Sequence, residues 1–146
     1  MRYFVCTFDQ FALGIPEDSV ASVIIHSEEV TGTVNRYEGG DVFFSLPHFF
    51  ALSGLRVRHG LVLKPRNHGN SPEPEEGPRR VLLVNSVDRE ADIPPEDIYP
   101  LPELFLASEQ FPFFTGISFA GPVMIVFIDP APLIARMLRD EERESA

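Results

Sequence analysis

Four histidines, one cysteine and three adjacent pairs of glutamates are the residues of this chain whose types lend themselves to catalysis or metal binding. His26, His48, His59 and His68 include no pair at the close helical spacing of a zinc motif, and a single cysteine cannot complete a zinc ribbon. His59 stands in Arg58-His59-Gly60 ahead of a strand-like run and His68 in a polar stretch, so both read as surface residues. Cys6 lies inside the apolar run Tyr3-Phe4-Val5-Cys6-Thr7-Phe8. A reactive thiol wants an electropositive, accessible setting, and this run offers neither, so Cys6 reads as a small buried apolar side chain. Glu28-Glu29, Glu75-Glu76 and Glu141-Glu142 occur in a chain with 22 acidic residues, where adjacent carboxylates arise by chance. None has an apolar setting that would raise a pKa for acid catalysis. The chain has no Gly-rich phosphate loop followed by Lys and Ser/Thr, no dinucleotide fingerprint and no nucleophile elbow; Gly39-Gly40-Asp41 is a turn signal. No catalytic residue, metal ligand or cofactor is assigned, and an enzyme has no positive support.

Composition narrows the class further. A chain of 146 residues suits one domain or two closely joined subdomains. It can bury roughly two thirds of its unfolded surface without disulfides or metals. Apolar residues make up 44%, which fits a globular protein, and thirteen Phe with no Trp point to a core built largely from Phe. A net charge of −10 repels phosphate backbones and anionic lipid, so nucleic acid and membrane surfaces are poor partners. No basic, apolar and small-residue series marks a secretory signal, and Val123 to Ile128 is far too short to span a bilayer. The expectation is a soluble cytoplasmic protein with no direct membrane insertion.

The elements that must position any site are short. Apolar runs separated by Gly, Pro, Asn and Asp predict strands at Tyr3 to Phe8, Phe11 to Ile15, Val20 to Ile25 and Val42 to Leu46. Further runs follow at Gly60 to Lys64, Arg80 to Asn85, Phe114 to Ala120 and Val123 to Ile128. The first is apolar on both faces, which predicts a central strand. Residues 47–53 predict one or two helical turns ended by Gly54. A C-terminal helix is predicted near 130–142, with Asp129 as N-cap, Pro130 at the first helical position and Leu133, Ile134, Met137 and Leu138 on one face. Its charged end is expected to fray. Residues 65–78 contain no apolar side chain larger than Pro over 67–77 and read as a mobile, extended hairpin loop.

Several segments, in order, resemble the CheW-like family of chemotaxis coupling proteins. Tyr3 to Pro16 resembles its opening hairpin, and Val20 and Val23 stand where the family has spaced valines. Val42-Phe43-Phe44-Ser45-Leu46 with Pro47-His48-Phe49-Phe50 resembles the strand and short helix after the family's Leu-Arg-Gly turn. Val81 to Ser86, continuing through Ile93-Pro94-Pro95-Glu96-Asp97-Ile98, resembles its long strand and the segment after it. Phe113 to Gly121 and Val123 to Asp129 resemble the terminal hairpin that leads into the last helix. The specificity lies in the ordered series rather than in any single motif.

The resemblance implies an all-β fold of two small five-stranded SH3-like barrels packed side by side. It implies one CheW-like domain over 1–146, made of two intertwined β-barrel subdomains. The implied function is a non-enzymatic adaptor that couples a chemoreceptor signalling tip to the regulatory domain of the histidine kinase CheA, alongside other CheW-like domains. Two candidate partner-binding patches emerge: the turn Asn35, Arg36, Tyr37, Glu38, Gly39 and Gly40, and the end-of-strand aromatics Phe111, Phe113 and Phe114. Each has a plainer reading, an ordinary hairpin turn for the first and core packing for the second. The chain departs from the family at this turn. Aligned without gaps, Tyr37 takes the place of the family's Arg; anchored on glycine, Glu38 does. Residues 26–33 form a shorter segment than is usual, the proline of the next strand has no counterpart, and residues 65–78 are an insertion. A side chain without a guanidinium cannot offer a forked donor to a carboxylate. The alternative is a structural or self-assembling paralogue that has lost receptor or kinase contact.

Overall fold

Backbone pairing follows the apolar runs in the computed structural model, which describes residues 1–8, 11–37, 39–52, 54–65, 67–68, 71–72, 78–101 and 112–145. In chain order the strands are β1 (Arg2–Thr7), β2 (Ala12–Pro16), β3 (Val20–Ile25), β4 (Val34–Arg36), β5 (Val42–Ser45) and β6 (His59–Leu63). They continue as β7 (Asn67–His68), β8 (Ser71–Pro72), β9 (Arg80–Val84), β10 (Arg89–Asp92), β11 (Phe114–Ala120) and β12 (Val123–Ile128). Among the described residues the helices are α1 (Leu46–Phe49) and α2 (Pro130–Ser145), with 3-10 turns at Glu17–Ser19 and Pro95–Asp97. The chain divides into two compact units: Met1–Asp18 with Ser86–Ala146, and Ser19–Asn85.

In the first unit the strand order is β10-β1-β2-β12-β11. β1 has a partner on each edge, antiparallel to both β10 and β2, as its two apolar faces require. β2 and β12 are parallel, and β12 returns antiparallel to β11. Tyr3, Val5, Ala12, Ile93, Ile125 and Phe127 form the core of this sheet. Phe127 packs at 4.6 Å from the Tyr3 ring and crosses directly over Gly14, where an added Cβ would lie 2.6 Å from the Phe ring. Burying Phe127 alone contributes about 1.5–3 kcal/mol. α2 starts where Asp129 Oδ1 accepts from the Ala131 N–H at 3.2 Å. Its buried stripe is Leu133, Ile134 and Met137, with Leu138 half-buried.

The second unit repeats the ladder pattern with other strands, in the order β3-β6-β9-β5-β4. β9 is antiparallel to β6 and parallel to β5, and Val81 to Val84 are all fully buried. A strand covered on both faces reads as a continuous apolar run rather than an alternating one. Phe43, Val62, Val81 and Leu83 form the core, with Ile24, Val30, Tyr37 and Val57 packed against it. Ser45 caps α1: its Oγ accepts from the His48 N–H at 3.4 Å and shares a 2.7 Å hydrogen bond with His48 Nδ1.

Three expectations need correction. Each unit is a five-stranded sheet whose ladders stop at its outer strands, not a closed barrel. In the first unit the far edge of β11 is taken by Tyr99, which bridges to Ile117, so it does not meet β10. α1 is only four residues long, because the chain turns at Ala51 with φ of 53° and Leu52 N–H donates back to the Pro47 carbonyl. α2 does not fray after residue 142 but runs to Ser145, carrying an Arg136–Asp140 pair one turn apart at 3.2 Å. Within 65–78 the expected hairpin is seen in the described residues, where Asn67–His68 and Ser71–Pro72 pair as a two-residue ladder.

Candidate protein-interaction surface

The predicted turn joins β4 to β5, and its residues divide between scaffold and surface. Asn35 is 7% exposed and faces inward. Its Oδ1 accepts from the Thr31 N–H and hydroxyl at 3.1 and 3.2 Å, and its Nδ2 donates to the Gly32 carbonyl at 2.7 Å. Asn35 therefore shapes residues 31–35 as a buried amide with its bonds made internally. Arg36 is exposed at the end of β4. Gly39 and Gly40 are exposed with φ of 100° and 90°, a conformation that makes glycine the natural choice for both places. Glu38 lies outside the described residues.

Tyr37 is half-buried, edge-on to Phe43 with ring centroids 4.9 Å apart and tilted against His26 at 6.4 Å. Its hydroxyl donates to the Glu29 carbonyl at 3.2 Å. Burial, aided by the charge of Glu28, raises the phenol above its ordinary pKa, so it remains a donor. At this place the chain presents an aromatic ring packed on its own core.

The turn is pinned from below by a pair that sequence reading missed. Asp41 Oδ2 accepts from Arg79 Nε at 3.1 Å and Nη2 at 2.9 Å, while Oδ1 accepts from the Arg79 backbone N–H at 3.0 Å. These bonds hold the Asp41 carboxyl below its ordinary value. Val42 N–H donates to the Arg79 carbonyl, so one residue beside β9 fixes both the side chain and the backbone leaving the turn. Asp41 was visible after the double glycine; its partner 38 residues away was not.

Sequence reading also missed His26. It is buried between aromatic neighbours, with its ring 5.3 Å from Phe43, and its Nε2 has no hydrogen-bond partner. His26, Glu28, Tyr37, Asp41 and Phe43 line an open depression of about 260 Å³ beside the end of β3. Among the described residues no Lys or Arg lines it, although Asp41 in the lining is bonded to Arg79.

The aromatic patch is different in kind. Phe113 is fully buried, Phe114 half-buried, and the two rings meet at 4.7 Å; Phe111 lies outside the described residues. Phe113 also accepts from the Asp129 N–H through its carbonyl at 2.8 Å, which ties the entrance of β11 to the exit of β12. The structure thus places Phe113 in the core and leaves Arg36, Gly39 and Gly40 on the surface.

Among the described residues no cluster of three or more His, Cys, Asp or Glu could hold a metal ion. Cys6 is fully buried, and burial with the nearby charge of Asp88 pushes its thiol up to about 12, so it is no nucleophile at neutral pH. No described helix is long and apolar enough to cross a membrane.

No family model matches the sequence, and a comparison with curated proteins finds no match. Among solved structures, the chain is similar to the scaffolding protein TtCheW from Thermoanaerobacter tengcongensis, with a TM-score of 0.60 at 17% identity over 88% of this chain and 83% of that one. At that identity the likeness is one of fold: two five-stranded sheets and a C-terminal helix, the architecture of CheW.

Proposed function

We propose that this chain is a non-enzymatic adaptor that joins a chemoreceptor signalling tip to the regulatory domain of the histidine kinase CheA in the cytoplasm, beside other CheW-like domains. The observation that carries this reading is the fold shared with a scaffolding protein. The surface that fits the role is the β4–β5 turn. There Arg36, Gly39 and Gly40 are exposed on a loop that Asn35, Tyr37 and the Asp41–Arg79 pair hold in one shape. A preformed loop docks with less ordering cost than a slack one. The test is capture of a receptor tip fragment and a kinase regulatory domain by the full chain, with Arg36→Glu as the control. Loss of about tenfold or more in capture by the variant, at unchanged melting temperature, supports the reading; capture of neither protein by the native chain ends it.

One observation favours a second reading, a self-assembling paralogue without receptor or kinase contact. Tyr37, one of the two residues that take the place of the family's Arg, is turned onto Phe43 and bonded to Glu29, so it offers a partner no forked donor. Self-association in sedimentation, together with no capture of either partner, would favour it.

A further inference from the structure

Four strands form the outer edges of the two sheets: β10 and β11 in one, β3 and β4 in the other. Exposed edges offer unpaired N–H and C=O groups to any extended chain, and proteins blunt them with charge, shortness or cover. β10 carries Arg89, Glu90 and Asp92. β11 is covered at its middle by Tyr99, whose N–H and carbonyl bond Ile117 at 2.8 and 3.0 Å. β4 is three residues long and ends in Arg36.

Among the described residues β3 has none of these guards. Val-Ala-Ser-Val-Ile-Ile contains no charge and no proline over its six residues. Val23 is 41% exposed and Ile25 85% exposed. His26 N–H donates to the Arg58 carbonyl, which fixes the phase of the β3–β6 ladder. By alternation, the N–H and C=O groups of Val23 and Ile25 point away from β6, to the open side. A bulge disturbs the strand only between Val20 and Ser22, leaving the stretch to Ile25 regular.

We infer that β3 accepts an added strand from a partner protein, an extended segment apolar at alternate positions and basic at the end that comes to lie beside Glu28-Glu29. The charge requirement comes from the flank. The uncharged strand is followed in its own unit by Glu28-Glu29. The depression at its C-terminal end is lined by Glu28, by the rings of Tyr37 and Phe43, and by Asp41, whose charge Arg79 already balances. An aliphatic stem over those rings with a cationic head near Glu28 suits it. A second copy's β3 brings no Lys or Arg to Glu28-Glu29, since residues 19–29 contain none, which disfavours that occupant. Strand addition of this kind draws affinity from the backbone and selectivity from alternate side chains and charge.

The inference rests on reading the chain as a binding protein. It is tested without receptor or kinase, so its failure and failure of the adaptor reading are told apart. The probe is a capped synthetic peptide of alternating valine and threonine with lysine at both ends, titrated into the full isotope-labelled chain. Expected are hydrogen exchange at the Val23 and Ile25 amides slowed about tenfold or more, and binding about tenfold weaker when the end residues are glutamate. Ile25→Lys, at a site already open to solvent, is expected to weaken the lysine-ended probe to a similar degree at unchanged melting temperature. Equal binding of the two peptides overturns the charge complementarity. Slowing confined to other edges overturns the assignment to β3. Slowing that depends on protein concentration without peptide assigns the edge to a second copy and also overturns it.

Discussion

The two sheets share one ladder pattern, antiparallel, antiparallel, parallel, antiparallel, so β10 matches β3 and the β11–β12 hairpin matches β4–β5. Opposite ends of the two hairpins carry opposite chemistry, a buried entrance on one and an exposed turn on the other. On one hairpin, Phe113 enters β11 fully buried, and its aromatic neighbour packs on it. On the other, Gly39 and Gly40 lie on the surface in a turn pinned by the Asp41–Arg79 ion pair. Backbone pairing repeats in the two units, whereas side chains decide which end of a hairpin becomes core and which becomes surface. A scaffold built this way can vary its contacts without altering its ladders.

The hardest blow to that contrast would fall on Phe113. Phe113→Ala removes a fully buried ring, and such truncations cost about 3–5 kcal/mol. Chemical denaturation of the variant should show a loss in that range, with the denaturant slope unchanged if the native state keeps its compactness. A loss below about 1 kcal/mol would mean that Phe113 is a contact residue after all, and the two hairpins would no longer differ in kind.

Much of this contrast was legible beforehand. All eight predicted strand runs are strands, because each is an apolar stretch bounded by turn residues. β10 and β4 escaped for a physical reason. Arg89-Glu90-Ala91-Asp92 is an edge strand with three exposed charged side chains, so its pairing with β1 leaves no hydrophobic pattern. Val34-Asn35-Arg36 is short and buries an amide at its centre. The site was less legible than the fold. The Gly39-Gly40 turn was readable from residue type, but the inward fate of Asn35 and Tyr37 depends on Thr31, Gly32 and Glu29 closing a local loop. The Asp41–Arg79 pair and the buried place of His26 follow from β5 lying beside β9, which no local signal announces.

A middle-sized effect tests the pin beneath the surface turn. Asp41 is three-quarters covered and Arg79 half-exposed, so the pair is worth about 1 kcal/mol at neutral pH. Asp41→Asn should lose that amount, since the amide still accepts from the Arg79 N–H but no longer balances its charge. The pH dependence has a definite sign. The carboxyl is held below 3.8 in the folded chain, so its stabilisation is fully present above the unfolded value and is lost as pH falls through the depressed one. The native chain and the variant should therefore converge in melting temperature below pH about 4. A gap that persists unchanged well below that pH would show that the pair does not hold the turn.

The smallest effect on stability carries the sharpest comparison between β10 and β3. Glu90 meets Arg2 at 2.9 Å and Asp92 meets the N-terminal amine at 3.3 Å, with all four groups at least 40% exposed. Exposed pairs of this kind contribute about 0–1 kcal/mol and are screened by salt. Replacing Arg89, Glu90 and Asp92 together by Thr should therefore shift stability by less than about 1.5 kcal/mol, and less at high salt. It should also unguard the edge, because Thr suits a strand and no longer repels an added one. A capped valine–threonine peptide, inert toward β10 in the native chain, should then slow hydrogen exchange along 89–92 in the variant. If stability instead falls by several kcal/mol with no gain in peptide binding, the charges hold β10 in place rather than guard it. In that case the chemical difference from β3 would reflect how each strand is anchored, and the bare edge of β3 would lose its meaning as an invitation.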